Sequence, residues 1–251
     1  MTPKKIADGV HYISNRGANI YFVGTASSWT LIDTGWGMSA SAIRKTAAAL
    51  FGSDSPPESI VLTHVHPDHD GSAAELARHW GLPVHVHPDE LGLARGDFAA
   101  IRTYASPLDR WLLLPGMRLL GKQRREAILA KGSLGNIACA FDPSEGVPGL
   151  TGWKCIHTPG HTPGHVVFSR GEDRVVIAGD AVLTAAMRGI LPLVQHFSLP
   201  PRMASWDWQR TRESLRKVAA LKPQVLATGH GMPMIGDHVS GDLDDFVKKR
   251  T

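Results

Sequence analysis

Cysteine and long apolar runs are scarce in this sequence. There are two cysteines, Cys139 and Cys155, each beside apolar residues in a predicted strand, so one disulfide is possible and none is required. No stretch approaches the roughly 18 apolar residues of a membrane span, and the first eight residues lack the apolar core of a secretory signal. We therefore expect a cytoplasmic location and no membrane partner.

A large excess of one charge is also lacking, since 27 Lys and Arg stand against 23 Asp and Glu. In the densest basic stretch, 118–131, the cations alternate with apolar residues, as on the solvated face of an amphipathic helix. This pattern predicts no nucleic-acid partner and favours a small-molecule substrate. What the chain does have is 43% hydrophobic residues over 251 positions, enough for the core of one large domain.

The order of predicted elements repeats in the two halves of the chain. β-prone runs at 10–13, 20–23 and 29–32 end at Asp33, and a serine-capped helix at 39–51 leads to a strand at 60–62 before His64. In the second half, a strand at 175–179 ends at Asp180, and a helix at 207–221 leads to a strand before His230. A duplicated strand, Asp, helix, strand, His unit predicts an α/β fold of two stacked sheets flanked by helices.

Two further segments follow strands that end near these polar residues. Residues 89–148 contain several helical patterns and are too long for a plain connection, and residues 187–208 are apolar and broken by prolines. We expect a single domain over 1–251 with a helical insertion at about 89–148. Both segments are candidates for the walls of a substrate pocket, and packing against the core is the alternative.

The densest group of metal-binding side chains is the segment from His64 to His69, His-Val-His-Pro-Asp-His. Residues two apart in an extended chain point the same way, so His64 and His66 could hold one metal ion between them. Pro67 keeps His66 out of the helical region, which supports that conformation. Asp68 and His69 then face elsewhere, toward a second metal, and residues 70–72 provide a cap for a helix ending near Trp80.

This segment resembles the H-x-H-x-D-H motif of the metallo-β-lactamase superfamily, in the branch of glyoxalase II and the lactonases. Four other elements of that family occur in order: Asp33-Thr34-Gly35, His161, Asp180 and Gly229-His230. The resemblance implies the αββα metallo-β-lactamase fold and two Zn²⁺ ions, although such ligands also accept Mn, Fe or Co. It implies one metal on His64, His66 and His161, a second on Asp68, His69 and His230, Asp180 as the bridge, and Asp33 and His165 as orienting neighbours.

The activity that the resemblance implies is hydrolysis of an ester, lactone or thioester. Two divalent ions lower the pKa of a bridging water, the resulting hydroxide attacks the carbonyl, and Asp68 carries the proton to the leaving group. A bridging Asp180 is typical of thioesterases, lactonases and phosphodiesterases of the family rather than of its true β-lactamases. The apolar segments favour a substrate with an acyl or aromatic part. A phosphodiesterase, a mononuclear iron persulfide dioxygenase and a non-catalytic metal-binding scaffold are the alternatives, and the oligomeric state is not predicted.

A near copy of the motif lies at 85–90, His-Val-His-Pro-Asp-Glu, with Glu90 where His69 stands in the first. The family order does not include it. We interpret it as the polar face of a short strand and its loop rather than as a metal site.

Overall fold

The structure is a computed structural model that describes residues 2–53, 55–185 and 195–250. Within them the strands are β1 Lys4–Ala7, β2 Val10–Asn15, β3 Ala18–Thr25, β4 Ser28–Ile32, β5 Ser59–Val61, β6 Val84–Val86, β7 Ala138–Ala140, β8 Trp153–His157, β9 Val166–Arg170, β10 Val175–Gly179, β11 Leu183–Ala185, β12 Gln195–Ser198, β13 Val225–Thr228 and β14 Met234–Ile235. The α-helices are α1 Ala40–Phe51, α2 Ala73–Trp80, α3 Leu91–Ala94, α4 Phe98–Thr103, α5 Leu114–Leu119, α6 Lys122–Gly132, α7 Trp208–Ala220 and α8 His238–Arg250.

The first sheet has the strand order β1 to β7. Strands β1 to β4 form an antiparallel meander, and β4 to β7 run parallel. The turn between β2 and β3 consists of Arg16 and Gly17, both with positive φ, as tight hairpin turns require. Parallel neighbours need a crossover, and α1 and α2 provide it between β4, β5 and β6.

The second sheet has the order β14-β13-β10-β9-β8. Its only parallel pair among the described strands is β10 with β13, and α7 lies between them in the chain. This pair therefore repeats the arrangement of β4, α1 and β5. A separate two-stranded sheet joins β11 and β12.

Buried side chains form three layers of core. Tyr21 and Val23 of the first sheet pack with Phe168 and Ile177 of the second, so the two sheets are stacked face to face. The outer face of the first sheet packs against α1 and α2, and that of the second against α7 and α8. The predicted fold class, two mixed sheets flanked by helices, is confirmed.

The side-chain caps predicted for the first two helices, a serine for α1 and residues 70–72 for α2, are not formed by the residues at the cap positions. Ser39 and Ser72 do stand at the N-terminal cap positions of α1 and α2, but neither side chain bonds to its own helix. The Ser39 hydroxyl accepts a hydrogen bond from the Asn15 amide, and the Ser72 hydroxyl accepts one from the backbone N–H of Ser39 and donates one to the carbonyl of Trp36. The two serines join the helix starts to each other.

Residues 89–148 carry α3 to α6 and also β7, which extends the first sheet beside β6. Several apolar side chains of this segment are exposed, among them Trp111 and Leu119. Residues 187–194 of the second predicted pocket wall lie outside the described residues.

Both cysteines are free thiols. None of the helices in the described part of the chain is long and apolar enough to cross a membrane.

Candidate metal centre

Four of the predicted site residues follow the carboxyl ends of parallel strands. Asp33 comes directly after β4 and Asp180 directly after β10, while His64 and His230 lie a few residues beyond β5 and β13. Loops at the carboxyl ends of parallel strands meet at one edge of a sheet, which is where α/β proteins place their ligands. The stacking of the sheets brings both edges together.

Three histidines form the first ligand group. One nitrogen of each of His64, His66 and His161 lies within 4.8 Å of the other two. The Nε2 of His64 is 3.2 Å from the Nδ1 of His66, and the rings of His66 and His161 have centroids 4.6 Å apart. These nitrogens converge as ligands of one metal ion do.

The second group consists of Asp68, His69 and His230, whose ligand atoms also lie within 4.8 Å of one another. The His230 Nε2 is 3.1 Å from a carboxylate oxygen of Asp68, and the His69 Nε2 is 4.0 Å from that oxygen. The His230 Nδ1 donates to the carbonyl of Gly17 at 2.8 Å, which turns its Nε2 toward the group.

Asp180 lies between the two groups. Its Oδ1 is 3.6 Å from the Nε2 of His69, and its Oδ2 is 3.5 Å from that of His161 and 3.4 Å from that of His230. One carboxylate thus faces a nitrogen of the three-histidine group and two of the second group. This is the placement that a bridging ligand needs.

Two of these inward-facing atoms are buried without a partner. The His69 Nε2 and the Asp180 Oδ1 have no hydrogen-bond partner among the described residues. Buried polar atoms are nearly always paired, so an unpaired nitrogen and an unpaired carboxylate oxygen facing each other are suited to binding a common ligand. Imidazole and carboxylate together suit Zn²⁺ and other first-row metals. The residues present therefore fit divalent metal ions.

The electrostatics of the cluster agree with this interpretation. Burial lowers the pKa of His64 and of His161 far below the usual histidine range, so both imidazoles are neutral and able to coordinate. Burial also lowers the pKa of His69, but Asp33 and Asp180 outweigh it and raise that pKa to about 9. Burial opposes ionisation of Asp180, yet His230 and His69 keep the pKa of its carboxyl well below the normal range. Burial likewise lowers the pKa of His230, but Asp180 and Asp68 outweigh it and raise that pKa to about 11. The carboxylates thus favour protonated His69 and His230 in the metal-free chain, and metal binding displaces such protons.

Asp33 and His165 orient the ligands from outside the cluster. Asp33 accepts hydrogen bonds from the Nδ1 of His69 and from both the backbone N–H and the hydroxyl of Thr63, each at 2.8 Å. The Nε2 of His165 accepts the backbone N–H of Asp180 at 2.9 Å, so its Nδ1 carries the proton and donates to the Thr158 hydroxyl. His165 faces the backbone of Asp180 rather than its carboxylate.

Two residues that support the site were missed from the sequence. The Asn19 amide donates to the carbonyls of Thr228 and Gly231, and these two hydrogen bonds tie β3 to the loop that carries His230. Glu90 is buried and accepts hydrogen bonds from two backbone N–H groups near the ligands. Asn19 directly precedes the apolar run at 20–23. A single amide side chain at the start of an apolar strand is the sequence signal that could have identified it.

The near copy of the motif lies beside the site. The structure brings His87 and Asp89 together with His157, with one ligand-type atom of each within 4.8 Å of the others. The remaining histidine of the copy, His85, contacts the sulfur of Cys139 at 3.2 Å.

The two predicted pocket walls meet next to His161. Tyr104 of the first segment and Trp206 of the second have ring centroids 5.1 Å apart in an edge-to-face arrangement. The backbone N–H of Trp206 donates to the carbonyl of His161, and the Ser205 hydroxyl is 3.3 Å from its Nδ1. The backbone that carries one ring of this aromatic pair therefore adjoins His161.

Comparison with known proteins assigns the chain to the superfamily that the histidine motif resembles. Residues 14–230 match the family model of the metallo-beta-lactamase superfamily. The probable metallo-hydrolase YflN of Bacillus subtilis is 35% identical over 97% of this chain and 91% of its own length. A B3 metallo-β-lactamase with an active-site glutamic acid superposes with a TM-score of 0.68 at 18% identity, over 99% of this chain and 88% of that one. TTHA1623 in a di-iron-bound form gives a TM-score of 0.56 at 25% identity, over 96% of each chain. The chain belongs to the metallo-β-lactamase superfamily and is a metal-dependent hydrolase.

Proposed function

We propose that the chain holds two divalent metal ions, with zinc as the expected metal, and hydrolyses an ester, lactone or thioester of a small molecule. The observation that carries the proposal is the position of Asp180 between two groups of ligands, within 3.6 Å of three different imidazole nitrogens. The di-iron form of the similar protein TTHA1623 supports a dinuclear site. In this proposal His64, His66 and His161 hold one ion, Asp68, His69 and His230 hold the other, and Asp180 serves both.

Bound divalent ions supply an activated water and polarise the carbonyl oxygen. The chain itself supplies the proton acceptor. In the metal-free chain, burial raises the pKa of Asp68, but its hydrogen bond from His230 outweighs burial and lowers that pKa to about 2, so the ionised form of this carboxyl is strongly favoured. Its side chain is 20% exposed, which leaves it accessible to a substrate. Asp68 can therefore take a proton and deliver it to the leaving group.

The surroundings favour a substrate with an apolar acyl or aromatic part. The backbone of Trp206, whose ring contacts Tyr104, bonds to the carbonyl of His161. Trp36, whose backbone packs closely against Gly71 just after the histidine segment, is 38% exposed. Aromatic walls with a few convergent polar groups are typical of small-molecule sites.

A panel of substrates on one preparation tests the proposal. Lactones, p-nitrophenyl esters and thioesters should be hydrolysed, the activity should disappear on chelation, and Zn²⁺ should restore it. Asp68→Asn should lower kcat by about 10²-fold or more, whereas Asp8→Asn, an exposed carboxylate remote from the site, should leave kcat unchanged.

Other outcomes would point to a different activity. Efficient cleavage of bis-p-nitrophenyl phosphate with poor ester hydrolysis would indicate a phosphodiesterase. Oxygen uptake with a persulfide and one iron per chain would indicate a dioxygenase. A chain that keeps its metal and turns over none of these substrates would be a binding scaffold.

A further inference from the structure

Glu90 is a buried carboxylate, 1% exposed, at the end of the near copy of the histidine motif. It closes a short 3₁₀ turn, Pro88–Glu90, that follows β6. A buried acidic side chain costs free energy unless its oxygens are satisfied by hydrogen bonds. The partners of this side chain therefore indicate why an acid is placed here.

The two oxygens of Glu90 join the two loops that carry the three-histidine group. One oxygen accepts the backbone N–H of Val65 at 2.9 Å, and Val65 stands between His64 and His66. The other accepts the backbone N–H of Gly164 at 2.7 Å, in the loop that carries His161. A single side chain thus links Val65 and Gly164, which are far apart in the sequence, at the point where their loops hold the same group.

The approach of Gly164 to Glu90 is close. A Cβ atom on Gly164 would lie 2.8 Å from the Cγ and the backbone nitrogen of Glu90 and 2.9 Å from the Nδ1 of His87. The neighbours of a real Cβ are essentially never that near, so any larger residue would push the His161 loop away from this joint.

The histidines of the copy support the same loop. The rings of His87 and His157 stack with centroids 4.2 Å apart. The Nδ1 of His87 accepts the backbone N–H of Asp89, and the Nε2 of His157 donates to the carbonyl of Pro163. These are the nitrogens that face the Asp89 carboxylate, each at 3.8 Å. Since both already bond to the backbone, the cluster braces the loop and is not arranged as a further metal site.

We propose that Glu90 is a positioning residue that sets the separation of the His64–His66 loop and the His161 loop, and so the geometry of the three-histidine metal site. The inference rests on the proposed two-metal function. Within the described part of the chain, the side-chain hydrogen bonds of Glu90 go to Val65 and Gly164 and not to the second group, Asp68, His69 and His230, so its influence falls on one of the two ions.

Co²⁺ titration of Glu90→Gln tests the proposal. The amide keeps the size of the side chain but can accept at one oxygen only, so one loop loses its anchor. We expect one Co²⁺ equivalent to bind about tenfold or more weakly than in the wild type, with a changed visible absorption, and the other to be retained. In the metal-free protein, the amides of Val65 and Gly164 should exchange hydrogen faster. Glu75→Gln, on the exposed side of α2, is the matched control and should behave as wild type.

Equal affinities in Glu90→Gln and wild type would overturn the proposal, and so would equal weakening of both equivalents, which a general loss of stability produces. If Glu90→Gln does not fold, Gly164→Ala decides by the same criterion, since it opens the joint from the other side. Wild-type Co²⁺ stoichiometry reports on the proposed function alone. Amide exchange in the metal-free protein reports on Glu90 alone. A failure of the two-metal proposal can therefore be told apart from a failure of the positioning role of Glu90.

Discussion

At the scale of single residues, the Asp33 side chain both stabilises an unusual backbone turn and orients the imidazole of His69. Its φ of 58° lies in the left-handed region, where residues other than glycine are uncommon. The carboxylate accepts three hydrogen bonds, one of them from His69 and two from Thr63. These bonds offset the backbone strain and fix the imidazole of His69 with its Nε2 toward Asp180.

Asp33→Asn should weaken metal binding more than it weakens the fold. The amide presents N–H groups where one oxygen now accepts, so His69 loses its orientation. We expect a loss of about 10- to 100-fold in affinity for one metal equivalent and about 1–3 kcal/mol in the free energy of unfolding. Zinc competition with a chromophoric chelator and urea unfolding measure the two effects. Unchanged zinc affinity in a folded variant would show that Asp33 does not act through His69.

Residues that we propose for the chemistry stand out in the sequence, whereas those that support them do not. His64 to His69 and Asp180 were found because metal chemistry restricts the residue types that can stand there. Asn19 and Glu90 bond to backbone atoms at distant positions, and any residue can supply a backbone partner. The residues that flank Asn19 and Glu90 in the sequence do not identify those partners.

At the scale of elements, the second parallel strand pair sets the distance between ligands. β10 and β13 lie side by side, and Asp180 follows the first as His230 follows the second. Between them Gly229 approaches so closely that a Cβ there would collide with the Asp180 carboxylate and lie 2.8 Å from the His69 ring. The absence of a side chain at this strand end leaves room for the cluster.

Gly229→Ala should therefore displace Asp180 from the bridging position. We expect the variant to fold, because the clash falls on movable side chains, and to bind two metal equivalents with affinities lower by about tenfold. Gly171→Ala is the control, since a Cβ there meets no neighbour within 4 Å. Isothermal titration with Zn²⁺ compares the two, and identical affinities would contradict the packing argument.

The regular elements were largely predictable because each half repeats the same order of strand, Asp, helix, strand and His. The arrangement of α3 to α6 was not. The amphipathic helix expected over 118–131 is wrong, because α5 ends at Leu119 and α6, which starts at Lys122, has no apolar face and no buried residue, so nothing in its pattern specifies what it covers. The edge-to-face contact of Tyr104 with Trp206 depends on two segments far apart in sequence. The sequence proposes these segments as pocket walls, which stays a prediction, and does not specify where they lie.

At the scale of the whole molecule, the site is shared between the two halves of the fold. The first sheet contributes Asp33 and the segment from His64 to His69, and the second contributes His161, Asp180 and His230. Hydrogen bonds from Asn19 and Tyr21 in β3 to the end of β13 hold the two edges together. The histidine segment, which alone resembles a complete metal site, supplies part of each ligand group and becomes a site only when the sheets stack.

Metal content is the measurement that tests this account most directly. The chain, stripped of metal, reloaded with excess Zn²⁺ and freed of unbound ions by gel filtration, should contain two zinc ions by elemental analysis. Asp180→Ala, which removes the ligand common to both groups, should contain fewer than two. One zinc ion or none in the wild type, or two in the Asp180 variant with unchanged affinity, would contradict the bridged two-metal site.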